Sequence, residues 1–125
     1  MRNPVTVMFF TALLAGLAAV GTPRAAFAAD YEGDWTVLVM TERGACDPTY
    51  SYDVSVLRGA IVYTALTSVS LSGTVSPQGA VLVHITHFDE GARGTGHLKE
   101  RTGAGSWRGA GKKGECSGRW EARRR

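Results

Sequence analysis

The feature that most constrains the fold is a series of short β-type segments that fill the chain from residue 33 onward. β-Branched and aromatic residues alternate with polar ones inside each segment, and Gly, Pro and Asp separate the segments, a pattern typical of small all-β domains. No helical periodicity extends beyond a single turn. We therefore predict eight strands: Gly33–Thr41, Tyr50–Val56, Ala60–Leu66, Val69–Val75, Ala80–Phe88, Gly94–Lys99, Gly105–Ala110 and Cys116–Ala122.

The short links between these segments predict an antiparallel meander. Ser76-Pro77-Gln78-Gly79, for example, has Pro where a tight turn needs a fixed φ and Gly near the exit of the turn. An open meander leaves an unpaired edge on each side, and closure into a barrel removes both. The predicted fold is an all-β, eight-stranded antiparallel up-and-down barrel, and a two-sheet β-sandwich is the alternative.

A Gly-x-Trp unit occurs three times, at Gly33-Asp34-Trp35, Gly105-Ser106-Trp107 and Gly118-Arg119-Trp120. If odd strands run up and even strands run down, all three tryptophans lie toward the lower end of neighbouring strands in a closed barrel. The glycine of each unit faces the same side as its tryptophan, and the missing Cβ leaves room for an indole from the adjacent strand. We therefore predict that Trp35, Trp107 and Trp120 form a structural plug at one end.

The first 28 residues have the organisation of a secretory signal peptide. Arg2 precedes an apolar run from Val5 to Val20, and Ala26-Phe27-Ala28 provides a small-residue cleavage site. The run is shorter than the ~20 residues that span a bilayer, so cleavage is favoured over a membrane anchor. The predicted organisation is a cleaved signal peptide at residues 1–28, a single β-barrel domain at residues 29–122 and a basic tail at residues 123–125. The predicted location is periplasmic or secreted, with no membrane span after cleavage.

Such a location is oxidising, so Cys46 and Cys116 are predicted to form a disulfide. The bond would close a loop of about 71 residues and contribute roughly 4 kcal/mol in the chain-entropy model. Cys46 follows the first strand and Cys116 begins the last. The bond is therefore expected to fasten the seam where the barrel closes, at the end opposite the tryptophans.

The basic residues are concentrated in the C-terminal part of the chain. Residues 30–92 contain eight acidic and two basic residues, whereas residues 93–125 contain three acidic and ten basic residues. Such a split can steer an anionic partner, but a solvated surface with a basic end is the favoured interpretation. A nucleic-acid partner is not expected, because the chain lacks a basic groove with interleaved aromatic residues.

No catalytic, cofactor or metal site is predicted. His84 and His87 are three positions apart on one strand, so their side chains face opposite sides and do not share an ion. The chain has no G-x-S-x-G elbow and no Gly-Lys-Ser/Thr phosphate loop. We therefore expect a protein that is not an enzyme.

Tyr50 and Tyr52 alternate with polar residues on the second predicted strand and so face the interior. They either line a ligand cavity or fill the core. Eight-stranded barrels are just wide enough for side chains to fill, and a filled core is therefore the prediction.

The Gly33-Asp34-Trp35 unit, with tryptophans returning in the last strands, resembles the pattern of calycins, the lipocalin and avidin barrels whose first-strand Gly-x-Trp plugs one end. The chain is shorter than a lipocalin and has no corresponding helix, so the resemblance implies the barrel and not a lipid or biotin pocket.

A second resemblance covers nearly the whole mature chain. Its segments are Asp34-Trp35-Thr36-Val37, Cys46-Asp47, Gly105-Ser106-Trp107-Arg108-Gly109 and Cys116-Ser117-Gly118-Arg119-Trp120. In these segments the sequence is similar to short uncharacterised exported proteins of Gram-negative bacteria. This resemblance implies the fold and export, and no activity.

These observations predict a non-catalytic exported binding or interaction domain for an unknown protein or small-molecule ligand. The alternative is a periplasmic or secreted inhibitor of a hydrolase, a protease or lysozyme. Such an inhibitor would present the loop from Glu42 to Thr49, stiffened by Cys46 and Pro48, to an active site. The candidate interaction residues lie in loops at the disulfide end: Glu42, Arg43, Asp47, Lys112 and Lys113.

Overall fold

The computed structural model describes residues 15–16 and 29–125. The regular elements begin with a short 3-10 helix and continue as eight strands. Their bounds are η1 Ala29–Tyr31, β1 Gly33–Arg43, β2 Thr49–Leu57, β3 Ala60–Val62, β4 Val69–Val75, β5 Ala80–His87, β6 Glu90–Leu98, β7 Thr102–Gly111 and β8 Gly114–Arg124.

The strands form one closed antiparallel barrel in sequence order, β1 to β8. Closure is made by β1 and β8, which pair from Trp35 opposite Arg124 to Arg43 opposite Ser117, with a bulge between Thr41 and Arg43. The prediction of an all-β up-and-down barrel is confirmed. The alternative of a two-sheet sandwich is wrong, because the seam between β1 and β8 leaves no edge strand.

The ends of several strands differ from the prediction. β3 stops at Val62 instead of Leu66, whereas β6 begins at Glu90 instead of Gly94. The segment predicted as a basic tail also belongs to the barrel. β8 continues through Arg124, and the backbone N–H of Arg125 donates to the carbonyl oxygen of Asp34 over 2.9 Å. Pairing with β1 and β7 supplies backbone partners that the sequence pattern of the last residues does not reveal.

The predicted disulfide is confirmed. Cys46 and Cys116 are bonded with a Cα–Cα distance of 6.2 Å. Cys46 lies in the link between β1 and β2, and Cys116 lies near the start of β8. The bond therefore joins the two strands whose pairing closes the barrel, as predicted.

Side chains alternate between the interior and the outer surface along each strand. The buried core consists of interior positions of β1, β2, β4, β5, β6 and β8, and Trp35 is its most buried large side chain, 1% exposed. The core residues are Trp35, Val39, Val54, Val56, Val75, Val81, Leu98, Trp120 and Ala122.

We call the end that holds Trp35 the closed end and the end that holds the disulfide the open end. The closed end carries the starts of the odd strands, and the open end carries the link from Gly44 to Pro48 and the turn at Lys112 and Lys113.

No helix in residues 15–16 and 29–125 is long and apolar enough to cross a membrane. The predicted signal peptide, residues 1–28, lies outside the described residues except for Ala15 and Gly16. It stays a prediction, as does the periplasmic or secreted location.

Candidate functional site

Two of the Gly-x-Trp units are directly paired with each other. In the β7–β8 register Gly105 lies opposite Trp120, and Trp107 lies opposite Gly118. Each tryptophan therefore faces the glycine of the other unit. A Cβ at Gly105 would lie 2.6 Å from the Trp120 Nε1, so an alanine there would collide with the indole. The repeated Gly-x-Trp units of β7 and β8 therefore place each tryptophan beside the glycine of the other unit on the inner wall.

The two indoles lie along the wall and reach in opposite directions. Trp120 passes over β7 and donates its Nε1 hydrogen to the Thr95 carbonyl oxygen on β6 over 3.0 Å. Trp107 passes over β8 and donates to the Met40 carbonyl oxygen on β1 over 2.9 Å. Each buried indole N–H is thus satisfied by the backbone of a strand two positions around the barrel.

Trp35 and Trp120 belong to one buried core, and Trp107 packs against it. The three-indole plug at one end stays a prediction. Trp35 lies at the closed end and donates to the Tyr31 carbonyl oxygen of η1 over 2.9 Å. Trp107 and Trp120 instead follow the wall of β6–β8 and β1. These contacts could not be predicted from the sequence, because strand direction gives the approximate height of a Cα atom and does not give the direction in which a long side chain leaves it.

Tyr31 and Arg124 complete the closed end around Trp35. The Arg124 guanidinium lies 5.3 Å from the centre of the Trp35 ring, a cation–π arrangement. Its Nη2 donates to the Glu32 carbonyl oxygen over 2.6 Å, and its Nη1 donates to the Glu100 carbonyl oxygen over 2.7 Å. The Arg124 side chain therefore connects β8 to Glu32, the residue that follows η1, and to the β6–β7 turn beneath the core.

The interior above this end holds a cavity of about 410 Å³. Its lining extends from Trp35 at the closed end to Asp47 and Lys113 at the open end. Tyr50 and Tyr52, which were predicted to fill the core, pack against it and also line this cavity. Most of the wall is aliphatic and aromatic: Val37, Val39, Val54, Val56, Ile61, Val69, Leu71, Val75, Val81, Val83, Ile85, Leu98, Trp107, Trp120 and Ala122.

Small residues at interior positions explain why side chains do not fill the barrel. Val83 on β5 pairs with Gly94 on β6, which pairs in turn with Trp107 on β7. Gly96 and Gly105 form the next such pair. The large ring of Trp120 on β8 lies over these glycines instead of crossing the lumen, so the centre stays open. The sequence contains these glycines, but only the strand register shows that they all face the interior.

The open end is bordered by the link between β1 and β2. Asp47 in this link receives a hydrogen bond from the Thr41 hydroxyl to its carbonyl oxygen over 2.6 Å, and its N–H donates to the Tyr50 hydroxyl over 3.1 Å. The Asp47 carboxylate lies 3.5 Å from the Lys113 ammonium of the β7–β8 turn. These contacts hold the link against the barrel beside the disulfide.

A second set of polar contacts borders the other side of the open end. His87 Nε2 lies 2.8 Å from the Ser68 hydroxyl, and His87 Nδ1 lies 3.7 Å from the Glu90 carboxylate. The other oxygen of Glu90 accepts a hydrogen bond from the Lys112 N–H over 3.2 Å. Asp47, His87, Glu90 and Lys113 are called the mouth residues below.

Tyr52 provides a polar group inside the cavity. It is half-buried, and its ring meets that of Tyr63 edge to face with 5.7 Å between the centroids. Its hydroxyl forms no hydrogen bond with another described residue, unlike the hydroxyl of Tyr50, which accepts from Asp47. Burial raises the pKa of Tyr52 above its ordinary value, and Tyr63 and Tyr50 add to the shift.

Two large apolar side chains stand exposed at the open end. Leu66 is 104% exposed in the β3–β4 link, and Phe88 is 82% exposed in the β5–β6 turn. Phe88 also has a φ of 56°, in the left-handed region that a bulky residue rarely adopts. Neither residue was predicted from the sequence to be part of a site.

The structure divides the candidate interaction residues between two places. Asp47 and Lys113 lie together at the mouth, and Lys112 contacts it through its backbone. Glu42 and Arg43 lie instead in a cleft on the outer surface of the barrel. His84 is exposed while His87 is half-buried and lines the cavity, in agreement with the predicted alternation. Within residues 15–16 and 29–125, no three His, Cys, Asp or Glu side chains are grouped to hold a metal ion.

Comparison with known proteins identifies no relative of this chain. No protein-family model matches it, no curated protein matches it significantly, and neither does any solved structure. The barrel with its disulfide is compatible with calycin-like barrels. The resemblance to exported proteins of Gram-negative bacteria stays a prediction.

Proposed function

We propose that the protein is a non-catalytic binding domain that holds one small, largely apolar molecule inside its barrel. The observation that carries this proposal is the cavity of about 410 Å³, closed at Trp35 and open at the mouth residues. Ligand sites in proteins are typically concave, mostly apolar and ~300–1,000 Å³ in volume. The exposed Leu66 and Phe88 at the open end give an apolar ligand further surface to contact as it enters.

The polarity of the wall defines the ligand further. The charged side chains of the lining, Asp47, Glu90 and Lys113, lie at the mouth, and Arg93 belongs to an outward-facing position of β6. Inside the barrel the Tyr52 hydroxyl is free to donate a hydrogen bond. A ligand with an uncharged apolar body and one acceptor oxygen or nitrogen matches this distribution, because a charge in the cavity would lose its hydration without gaining a partner.

Binding of the neutral probe N-phenyl-1-naphthylamine tests the proposal. Trp107 and Trp120 line the cavity, so a bound probe should quench their emission by energy transfer and should fluoresce itself. We expect saturable binding by the purified protein that declines when aliphatic alcohols compete. No saturable binding of the probe would contradict the proposal.

A pair of variants on β5 locates the bound probe. Val83 faces the cavity, whereas Leu82 is on the outer face of the same strand. Val83→Phe should fill part of the cavity and abolish binding, and Leu82→Phe should leave binding unchanged. Equal binding by the two variants, both folded by circular dichroism, would place the probe outside the barrel.

The alternative of hydrolase inhibition requires a loop that protrudes into an active site. The loop from Glu42 to Thr49 is instead fastened by the disulfide, by the Thr41 and Tyr50 hydroxyls and by Lys113. Its Gly44 packs so closely on β8 that a Cβ there would collide with Cys116. This geometry favours the cavity over the loop as the binding element. Inhibition of secreted proteases or lysozyme at micromolar protein would support the alternative.

A further inference from the structure

Three arginines form part of one continuous row across the outer surface. Arg93 on β6 pairs directly with Arg108 on β7, Arg108 pairs with Ser117 on β8, and Ser117 pairs with Arg43 on β1. All three arginine side chains are exposed. The row continues to His84 on β5, which pairs with Arg93. Arg93 and Arg108 are neighbours within the β6–β7 hairpin, and Arg43 joins them only when β1 pairs with β8.

The arrangement of Arg93 and Arg108 costs stability in the free protein. Residues directly opposite each other on antiparallel strands have Cβ atoms ~4.5–5.5 Å apart, and like charges at such positions repel. In the described part of the chain the salt bridges involve other cations, namely Lys113, Arg119 and His87. No carboxylate of residues 29–125 lies within salt-bridge distance of Arg43, Arg93 or Arg108.

A cleft accompanies the row. Its lining combines the three arginines with three hydroxyl side chains, Thr95, Ser106 and Ser117. The one carboxylate of the lining, that of Glu42, lies 3.3 Å from Arg119 Nε and is thereby engaged. The cleft shares Arg93 and Trp107 with the lining of the cavity, but its hydroxyl side chains, Thr95, Ser106 and Ser117, do not line the cavity.

We propose that this cleft binds a phosphomonoester group, with Arg93 and Arg108 as its principal contacts and Arg43 and the hydroxyls around them. A phosphomonoester carries a charge of about −1.5 to −2 near neutral pH, which matches two adjacent arginines better than a carboxylate does. The guanidinium fork also pairs with phosphate oxygens in a bidentate way. This inference does not depend on the cavity or on its ligand.

Titration of the purified protein with methyl phosphate tests the inference, with arginine Nε–Hε resonances as the readout. The resonances of Arg93 and Arg108 should shift in a saturable manner. Dimethyl phosphate, which carries one negative charge, should bind more weakly. Absence of any saturable shift with methyl phosphate and with phosphatidate vesicles would overturn the proposal.

A comparison of free methyl phosphate with phosphatidylcholine vesicles that contain phosphatidate shows whether the phosphate belongs to a soluble ligand or to a lipid. Co-sedimentation measures binding to the vesicles. Binding to methyl phosphate indicates a soluble ligand, and binding to the vesicles alone indicates a lipid headgroup. Either result supports a phosphomonoester site, provided that Arg93→Gln weakens the binding.

Three variants test whether phosphate binding depends on Arg93 and Arg108 or on the general positive charge of the surface. Arg93→Gln and Arg108→Gln should each raise the apparent Kd about tenfold, because each removes a charge-assisted hydrogen bond. The matched control is Arg101→Gln, which changes an exposed arginine outside the row and should bind like the parent protein. Arg93→Gln should also raise the Tm without phosphate, because it removes the repulsion. Equal binding by Arg93→Gln and Arg101→Gln, or a lower Tm for Arg93→Gln, would overturn the proposal.

Discussion

The two ends of the barrel are built on different principles. At the closed end Trp35 is 1% exposed, η1 lies below it, and Arg124 bonds two backbone carbonyl groups while its guanidinium stacks on the indole. At the open end the contacts are a disulfide and polar pairs that solvent reaches, such as Asp47 with Lys113. Apolar packing secures one end, and a covalent bond with exposed polar contacts secures the other.

This difference shows how a small barrel can keep an interior space. Packing an aromatic plug at both ends would stabilise the fold further and would also close the cavity. A disulfide restricts the unfolded chain instead of filling the folded interior, so it stabilises the open end while leaving a passage. Substitutions at the two ends test this division of roles.

Trp35→Ala should cause the greatest loss of stability. Truncation of a fully buried tryptophan removes its apolar contacts and leaves a cavity, which costs about 3–5 kcal/mol. The free energy of unfolding in urea measures the loss. Phe88→Ala is the matched aromatic truncation at the open end, where the ring is 82% exposed, and should change stability by less than about 0.5 kcal/mol. Equal losses from the two variants would show that the ends do not differ.

Replacement of both cysteines by serine should destabilise the protein by about 2–4 kcal/mol, chiefly through the greater entropy of the unfolded chain. The sequence separation of the bonded cysteines is 70, so a long loop is released. Urea unfolding of the Cys46→Ser, Cys116→Ser variant gives the value. Because the closed end is untouched, its Trp35 should remain shielded from acrylamide quenching under native conditions. Exposure of Trp35 in this variant would mean that the disulfide also holds the closed end.

Tyr52 should make stability depend on alkaline pH. Burial raises its pKa in the folded state above that of the unfolded chain, so the folded protein binds the phenolic proton more tightly. The contribution is fully present below a pH of ~10 and is lost as pH rises through the higher folded pKa. Urea unfolding at neutral and alkaline pH should show a steeper loss for the parent protein than for Tyr52→Phe. A Leu82→Phe control, which keeps Tyr52 and changes an exposed residue of β5, should resemble the parent.

Lys113→Ala should have the smallest effect. Its ion pair with Asp47 is solvent-exposed, with side-chain exposures of 58% and 66%, so the loss should be below about 0.5 kcal/mol. Thermal unfolding at low and high salt checks the value, and the small difference between variant and parent should vanish at high salt. A larger loss would assign the mouth residues a structural role comparable to that of the closed end.

Much of the fold was accessible to sequence reasoning because local rules decide it. Period-two alternation located all eight strands, and turn residues such as Pro77 and Gly79 separated them. The disulfide followed from the two cysteines of a chain that carries a predicted export signal. Strand ends were less accessible. β3 is shorter and β8 longer than predicted, because pairing partners decide where a strand stops.

The candidate sites were much less accessible. The filled-core prediction treated the barrel diameter as the deciding quantity, whereas the glycines opposite the interior tryptophans decide how much of the lumen is occupied. Likewise, Arg43 and Arg108 are 65 positions apart along the chain and become neighbours in one row only through Ser117. Neither the position of these glycines opposite the tryptophans nor the row of arginines can be recognised from neighbouring residues in the sequence.

By itself, then, the sequence determined the strands, their antiparallel meander, the disulfide and the three Gly-x-Trp units. Only the tertiary structure decided that Trp35 donates to Tyr31 at the closed end, that Trp107 and Trp120 reach carbonyl groups two strands away, and that a cavity remains inside the barrel. The physical reason is that backbone alternation is a property of each strand. The volume left inside a closed barrel depends on side chains from all of its strands at once.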